Sequence, residues 1–213
     1  MRYICFALFI LTASISTAGG DGARGCAPPS GFVDSPHPPI AGAEELVAHS
    51  EEIVVDRPLA VVLAAGSRTS LKDTIHNTDS LPGVGGDYPL SSIPFGTPGA
   101  RRLVCLTDGS TLEEQVLDLA QSKSSYRFRY VVWNYTTEKA RPIFYGVGEF
   151  RDWEIGGGHT HIVWTYSFKL KDHEFPGYLG GFGRYLFRVI FLDREYAALM
   201  RATLAAGKAS AEK

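Results

Sequence analysis

The second half of the chain is a succession of strand-like segments that ends in one long amphipathic helix. Apolar and polar side chains alternate from His159 to Leu170, and a period of two residues is typical of a strand with one buried face. Asp108-Gly109 is a strong hairpin signal between two of the earlier strands. From Gly183 to Ala206 the apolar residues recur at helical spacing. Strands preceding His159 are expected at 100–107, 111–119, 126–135 and 143–155.

The first half adds one strand and two short helices before an irregular stretch. Residues 46–55 have the pattern of a strand, and Asp56 is placed to cap a helix over 59–65. A second helical segment is expected over 70–76, while glycine and proline interrupt residues 77–99. This order predicts an α+β fold in which a curved antiparallel sheet wraps around the long C-terminal helix. The gap between the two layers would form a pocket.

The N-terminus has the pattern of an export signal. Arg2 precedes an apolar run from Ile4 to Ile15, which is shorter than the roughly 20 residues that a membrane span requires. A retained N-terminal anchor is the alternative. We expect a protein exported to the periplasm or secreted, with no stable membrane span in the mature chain. The chain is predicted to comprise a signal peptide over 1–20, a Pro/Gly-rich linker over 21–44, a folded domain over 45–207 and a disordered tail over 208–213.

Charge and cysteine usage narrow the function classes. The net charge is −2 without clusters of lysine and arginine, which argues against a nucleic-acid partner. Cys26 and Cys105 remain after signal cleavage, and they lack metal-site spacing. Cys26 has two alternatives: a disulfide to Cys105 in an oxidising compartment, or acceptance of a lipid. No dinucleotide or phosphate-loop glycine pattern is present, so no cofactor is expected.

Several segments resemble a known superfamily. The opening Glu52 to Pro58, the segment Gly99 to Leu103, the strand Tyr126 to Tyr130 and the strand Thr160 to Phe168 are similar to START/Bet v 1-like (SRPBCC) proteins, in particular the polyketide cyclase/dehydrase branch. The resemblance covers about residues 47–206. It departs from the usual pattern at Val62, where a tryptophan is common, and in the Gly/Pro-rich stretch 81–99.

The resemblance implies a helix-grip fold with a hydrophobic cavity. Its members include ligand carriers, receptors, aromatase/cyclases and accessory proteins of exported redox enzymes. Because one fold hosts so many functions, the fold alone does not indicate which of them this protein has.

Alternating aromatic residues on two strands are the candidates for cavity-lining, ligand-binding side chains. Plain packing against the final helix is the alternative, since lining and core residues have the same sequence pattern. The predicted ligand-binding residues are Phe128, Tyr130, Trp164, Tyr166 and Phe168.

Polar candidates are fewer. Glu113 and Glu114 are adjacent on a strand, so one faces inward, and Glu114 is the weakly preferred general base. The alternative is a surface glutamate paired with Arg102. His159 and His161 share one strand face, but a solvent-exposed face explains them better than a metal site, and no metal is predicted.

Three functions follow from these observations. The leading hypothesis is an exported protein that binds or carries a hydrophobic small molecule, such as a lipid or a polyketide-like compound. The second is an aromatase/cyclase or dehydratase with a cavity Glu or Tyr as acid or base, so the sequence leaves open whether the protein is an enzyme. The third is an accessory protein that docks on an exported redox enzyme, for which an exposed apolar patch would be required.

Overall fold

The computed structural model describes residues 25–213. The predicted signal peptide over 1–20 lies outside these residues and stays a prediction. No helix within 25–213 combines the length and apolar character needed to cross a bilayer.

Within residues 25–213, seven strands form one antiparallel sheet in the order β1-β7-β6-β5-β4-β3-β2, so β1 and β7 are neighbours and β2 is an edge. Successive strands from β2 to β7 pair as a meander, which was predicted for β3 to β7. The bounds are β1 Val47–Val55, β2 Val84–Pro89, β3 Arg101–Leu106, β4 Thr111–Gln121, β5 Ser125–Trp133, β6 Ile143–Gly156 and β7 His159–Leu170.

Helices cover one face of the sheet. The short helix α1 spans Leu59–Gly66, and the C-terminal helix begins with α2 over Gly180–Phe187. A π-helical segment over Arg188–Tyr196 joins it to α3 over Ala197–Ala211. The predicted helix-grip architecture, a curved antiparallel sheet around a long C-terminal helix, is confirmed.

The predicted disordered tail is wrong for most of its length. Helix α3 continues to Ala211, whose side chain is buried beside Val55 and Ala65. Lys208 donates to the Val54 carbonyl at 2.7 Å and pairs with Glu212 at 2.7 Å. These contacts hold the last helical turn against β1.

Other local predictions also need correction. Asp56 does not cap α1, because Pro58 occupies the N-cap position and Asp56 instead pairs with His159 and Lys208. The second helical segment is reduced to a 3₁₀ turn at Leu71–Asp73. The supposedly irregular stretch contains strand β2, which tolerates its glycines and proline because it lies at the sheet edge.

The concave face of the sheet and the C-terminal helix enclose the main core. Alternate residues of β7 point into it, and Phe168 packs edge-on against Phe187 and Tyr196 with ring centroids 5.7 and 4.9 Å apart. Leu192, Met200 and other helix residues complete this layer. This is the face on which the candidate site lies.

The convex face carries a second, smaller core that the chain preceding β1 covers. Ile40 and Leu46 pack on a cluster of Val131, Trp133, Tyr145 and Val147, which we call the convex cluster. The Ala41 amide donates to the Tyr145 hydroxyl at 2.6 Å.

Further contacts fix the same segment at two more points. Cys26 is disulfide-bonded to Cys105. The Arg101 guanidinium donates to the Ser35 carbonyl and to the carboxylate of Glu113, which is fully buried. Residues 25–44 are therefore part of the folded domain, contrary to the predicted boundary at 45.

Candidate ligand cavity

A cavity of about 250 Å³ lies between the concave face of the sheet and the C-terminal helix. Strands β3, β4 and β5 supply one wall, while the π-helical segment and α3 supply the opposite wall. The apolar lining includes Leu112, Val132, Phe150, Phe191 and Leu199. An apolar hollow with a few polar groups is the usual form of a small-molecule site.

Three of the five predicted aromatic residues line this cavity: Phe128, Tyr130 and Trp164. The other two, Tyr166 and Phe168, do not line it, because both are packed against Tyr196 with ring centroids 4.9 Å away. Both therefore belong to the core between sheet and helix. Whether the three lining residues bind a ligand stays a prediction.

Two glycines of β6 determine where these rings lie. Gly148 pairs with Tyr130 across the sheet, and a Cβ atom at Gly148 would overlap the Tyr130 ring. At Gly146 an added Cβ would meet the rings of Tyr166 and Phe168. Because β6 lacks side chains at these positions, the rings lie flat on the sheet and leave room above it.

Glu114 faces the cavity, in the orientation that the sequence weakly favoured, and it is 6% exposed. The Arg102 Nε donates to Glu114 Oε2 at 2.5 Å, so the predicted pairing with Arg102 exists but is buried rather than on the surface. The Arg102 guanidinium also lies 3.5 Å from the centroid of the Phe95 ring. Burial raises the pKa of Glu114, and the positive charge of Arg102 opposes that rise.

Tyrosine hydroxyls supply the remaining polarity. The Trp164 indole donates to the Tyr130 hydroxyl at 3.1 Å. The buried Tyr135 hydroxyl lines the cavity; the Tyr166 hydroxyl is near enough to affect its pKa, although the two form no hydrogen bond of ordinary geometry within residues 25–213. Burial raises the pKa of Tyr130 and Tyr135, so both phenols are neutral and each can donate a hydrogen bond to a ligand oxygen.

Arg102, Tyr135 and Phe191 are cavity residues that sequence reasoning did not propose as ligand-binding. Tyr135 follows the end of β5 between the polar residues Asn134 and Thr136, so no apolar pattern in the sequence marks it as a lining residue. Phe191 was expected only to widen the apolar stripe of the helix. It borders the cavity because it lies on the π-helical segment.

The two histidines lie away from this cavity. His159 Nδ1 is 3.0 Å from Asp56 Oδ1, and His161 Nε2 is 3.2 Å from Glu52 Oε2. Each imidazole therefore has its own carboxylate partner on or beside β1. Across residues 25–213, no group of three or more His, Cys, Asp or Glu side chains is arranged to hold a metal ion.

Solved structures with the same architecture are found at low sequence identity. The chain is similar to Ara h 8.0201, with 15% identity and a TM-score of 0.53 over 78% of this chain and 97% of the other. It is also similar to the ZhuI aromatase/cyclase from Streptomyces sp. R1128, with 14% identity and a TM-score of 0.55 over 78% and 94%.

A third similar structure is the di-domain aromatase/cyclase StfQ of the steffimycin biosynthetic pathway. The identity is 14% and the TM-score is 0.56 over 79% of this chain and 51% of the other. No family model and no curated protein sequence matches the chain. At these identities the similarity establishes the fold, and the function has to be argued from the cavity.

Proposed function

We propose that this chain, which has the helix-grip fold of the START/Bet v 1-like (SRPBCC) proteins, binds a hydrophobic small molecule in the cavity between its sheet and its C-terminal helix. The observation that carries the proposal is the mainly apolar hollow itself, which Tyr130, Tyr135 and Glu114 line with a few polar groups. Small-molecule sites usually combine an apolar lining with a few polar groups that orient the ligand.

The cavity also suggests the chemistry of the ligand. Its walls are aromatic and aliphatic, and its one ion pair, Arg102 with Glu114, is already internally satisfied. A ligand with a full charge would have to displace one member of that pair. A neutral, ring-containing molecule with one hydroxyl or carbonyl group therefore fits best. The volume of about 250 Å³ lies just below the usual ~300–1,000 Å³ of ligand pockets, which favours a small molecule.

Matched ligands and matched variants test this proposal. Naphthalene and 2-naphthol share a ring system, but only the second carries a hydroxyl. We expect Tyr135→Phe to weaken 2-naphthol binding about three- to tenfold and to leave naphthalene binding unchanged, because only one hydrogen bond is lost. Equilibrium dialysis with both probes measures the two affinities.

A steric variant provides the control. Val132→Phe adds a ring inside the cavity and should abolish binding of both probes, whereas Val61→Phe adds the same ring on the exposed side of α1 and should change nothing. Equal affinities in the wild type and Val132→Phe would refute the cavity as the binding site.

An aromatase/cyclase or dehydratase activity is the second candidate. The observation in its favour is that a buried carboxyl with a raised pKa, Glu114, shares one cavity with Tyr130 and Tyr135. Glu114 Oε2 accepts from Arg102, so a substrate would have to approach the other oxygen, which could take a proton from a carbon next to a carbonyl or, when protonated, donate one to the carbonyl oxygen. Glu114→Gln should then abolish turnover of a poly-β-ketone substrate while retaining its binding. Retained turnover would exclude Glu114 as the acid or base.

Export and an accessory role are further proposals. The Cys26–Cys105 disulfide supports export to the periplasm or secretion, since such bonds persist in oxidising compartments. The bond gives Cys26 a structural role as a disulfide partner, which is the alternative to accepting a lipid. The accessory-protein hypothesis requires exposed apolar surface, and α2 provides some.

A further inference from the structure

The segment that leads into the C-terminal helix exposes an unusual number of large apolar side chains. Of the thirteen exposed large hydrophobic residues within 25–213, six lie between positions 175 and 190. We call them the aromatic patch: Phe175, Tyr178, Leu179, Phe182, Tyr185 and Ile190. Its four rings are each 58–62% exposed, which adds up to roughly 500 Å² of mainly apolar surface.

The backbone below the patch is tightly packed. Pro176, Gly177 and Gly183 are buried under the exposed rings. A Cβ atom at Gly183 would overlap the Pro176 carbonyl, and one at Gly177 would overlap the Lys171 carbonyl. The rings are therefore held outward by a fixed scaffold, as expected of a surface that has a partner.

Two arginines lie within the segment that carries the patch. Between positions 175 and 192 the only charged residues are Arg184 and Arg188, which are one helical turn apart, and the acidic residues Glu174 and Asp193 flank this stretch. Arg188 pairs with Asp193 at 3.2 Å, while no salt bridge of Arg184 is present within the described chain. Arg184 therefore places a positive charge without a salt bridge next to Tyr185 of the patch.

From these observations we propose that the aromatic patch docks on the surface of an anionic phospholipid bilayer. Phenylalanine and tyrosine rings suit the interface between headgroups and acyl chains, where one side of the ring is apolar and the other is wet. Two arginines beside the rings complement anionic headgroups. An exposed helix start with aromatic residues and arginines has the composition of an interfacial helix.

The same helix connects the patch to the cavity. Ile190 belongs to the patch, and the next residue, Phe191, lines the cavity wall. A molecule at the bilayer surface would thus lie close to the π-helical segment. The docking inference does not depend on this connection, and it would stand if the cavity bound no ligand.

The test is co-sedimentation of the purified protein with phosphatidylcholine vesicles that contain or lack phosphatidylglycerol. The wild type should partition to the mixed vesicles. Phe182→Ser/Tyr185→Ser should reduce the partition coefficient about tenfold or more, because binding scales with the buried apolar area. The matched control, Tyr88→Ser/Ile155→Ser, removes two exposed apolar side chains elsewhere and should bind like the wild type.

The arginines should affect vesicle binding only when the vesicles contain anionic lipid. Arg184→Gln and Arg188→Gln should each weaken binding to the mixed vesicles about fivefold and leave the weak binding to pure phosphatidylcholine unchanged. All variants share the same N-terminus, so differences between them report on the patch. If the serine variant fails to fold, Phe182→Trp provides the readout: its emission should shift to the blue on vesicle addition and be quenched by brominated lipid.

Three results would overturn the proposal. One is equal partition of the wild type and the patch variant. Another is the absence of partition to any vesicle, which would leave a protein as the patch's partner. The third is a wild-type dimer that the patch variant abolishes, without vesicle binding, which would assign the surface to a second copy of this chain.

Discussion

Asp152 is a buried carboxyl that the cavity does not use. It lies on the concave side of β6, between Tyr126 and Ile162 on the neighbouring strands, and it is 6% exposed. Its Oδ1 has no hydrogen-bond partner within residues 25–213. Burial alone raises the pKa of Asp152 to about 7, and the same carboxylate helps burial to raise the pKa of Tyr126 to about 12.

The raised pKa of Asp152 predicts that the protein loses stability as the pH rises. Below about pH 4 the carboxyl is protonated in both states, so it carries no penalty. Between about pH 4 and pH 7 the unfolded chain releases this proton while the folded chain retains it, so the free energy of unfolding falls. Above about pH 7 the loss is complete. Urea denaturation across this pH range measures it.

Asp152→Asn isolates the contribution of this carboxyl. At about pH 8 the variant should be more stable than the wild type by roughly 3–4 kcal/mol, and near pH 4 the two should converge. Asp118→Asn, on the surface beside Arg127, is the control and should leave the pH profile of the wild type intact. Parallel pH profiles of the wild type and Asp152→Asn would contradict the assignment.

Strand β6 shows how glycine creates space for aromatic rings. We expect Gly148→Ala to lower the free energy of unfolding by about 1–3 kcal/mol, because its Cβ would displace the Tyr130 ring from the sheet. Gly207→Ala is the matched change in α3. No atom lies within 4 Å of its added Cβ, and alanine favours the helix, so a gain of about 0.5–1 kcal/mol is expected. Chemical denaturation distinguishes the two signs.

The disulfide attaches the N-terminal segment to the edge region of the sheet. Cys26 and Cys105 are 79 residues apart, so their bond restricts a large loop in the unfolded chain. Cys26→Ala/Cys105→Ala should lower the free energy of unfolding by about 2–4 kcal/mol. A reducing agent should destabilise the wild type by a similar amount and have no effect on the variant. If the variant lost stability but reduction of the wild type did not lower its stability, the loss in the variant would come from packing rather than from the crosslink.

Regular elements were the most predictable part of this chain. The alternation along β7 and the turn at Asp108-Gly109 are local signals, and β4 to β7 lie within about two residues of their predicted bounds. Strand β2 was missed because its stability comes from pairing with β3, which no local pattern records. The capping prediction failed for a similar reason: the contact of Asp56 with Lys208 spans most of the chain.

The residues of the site could be predicted only in part. A residue that lines the cavity and one that packs in the core can be of the same type, and they differ in their distance from the C-terminal helix. Phe128 and Phe168 have the same pattern, yet only Phe128 borders the hollow. That distinction depends on the path of the π-helical segment, which the periodicity did not reveal. The inward orientation of Glu114 followed from strand alternation once the sheet face was known.

The part of the chain that the structure describes is a single sheet with a separate apolar layer on each face. The concave layer holds the cavity and the helix, while the convex cluster is covered by residues 25–46. The sheet separates the two layers, and its backbone hydrogen bonds join its own strands. A substitution in one layer should therefore affect the other layer only by changing the free energy of unfolding of the whole domain.

This separation predicts that stability and ligand affinity respond independently to substitutions on opposite faces. Ile40→Ala removes half-buried contacts with the convex cluster and should lower the free energy of unfolding by about 1–2 kcal/mol. The affinity for 2-naphthol should stay at the wild-type value, because the cavity lies on the other face. Val132→Phe should abolish binding whatever its effect on stability. Urea denaturation and equilibrium dialysis on the same preparations measure both quantities, and a parallel loss of affinity in Ile40→Ala would show that the two layers are coupled.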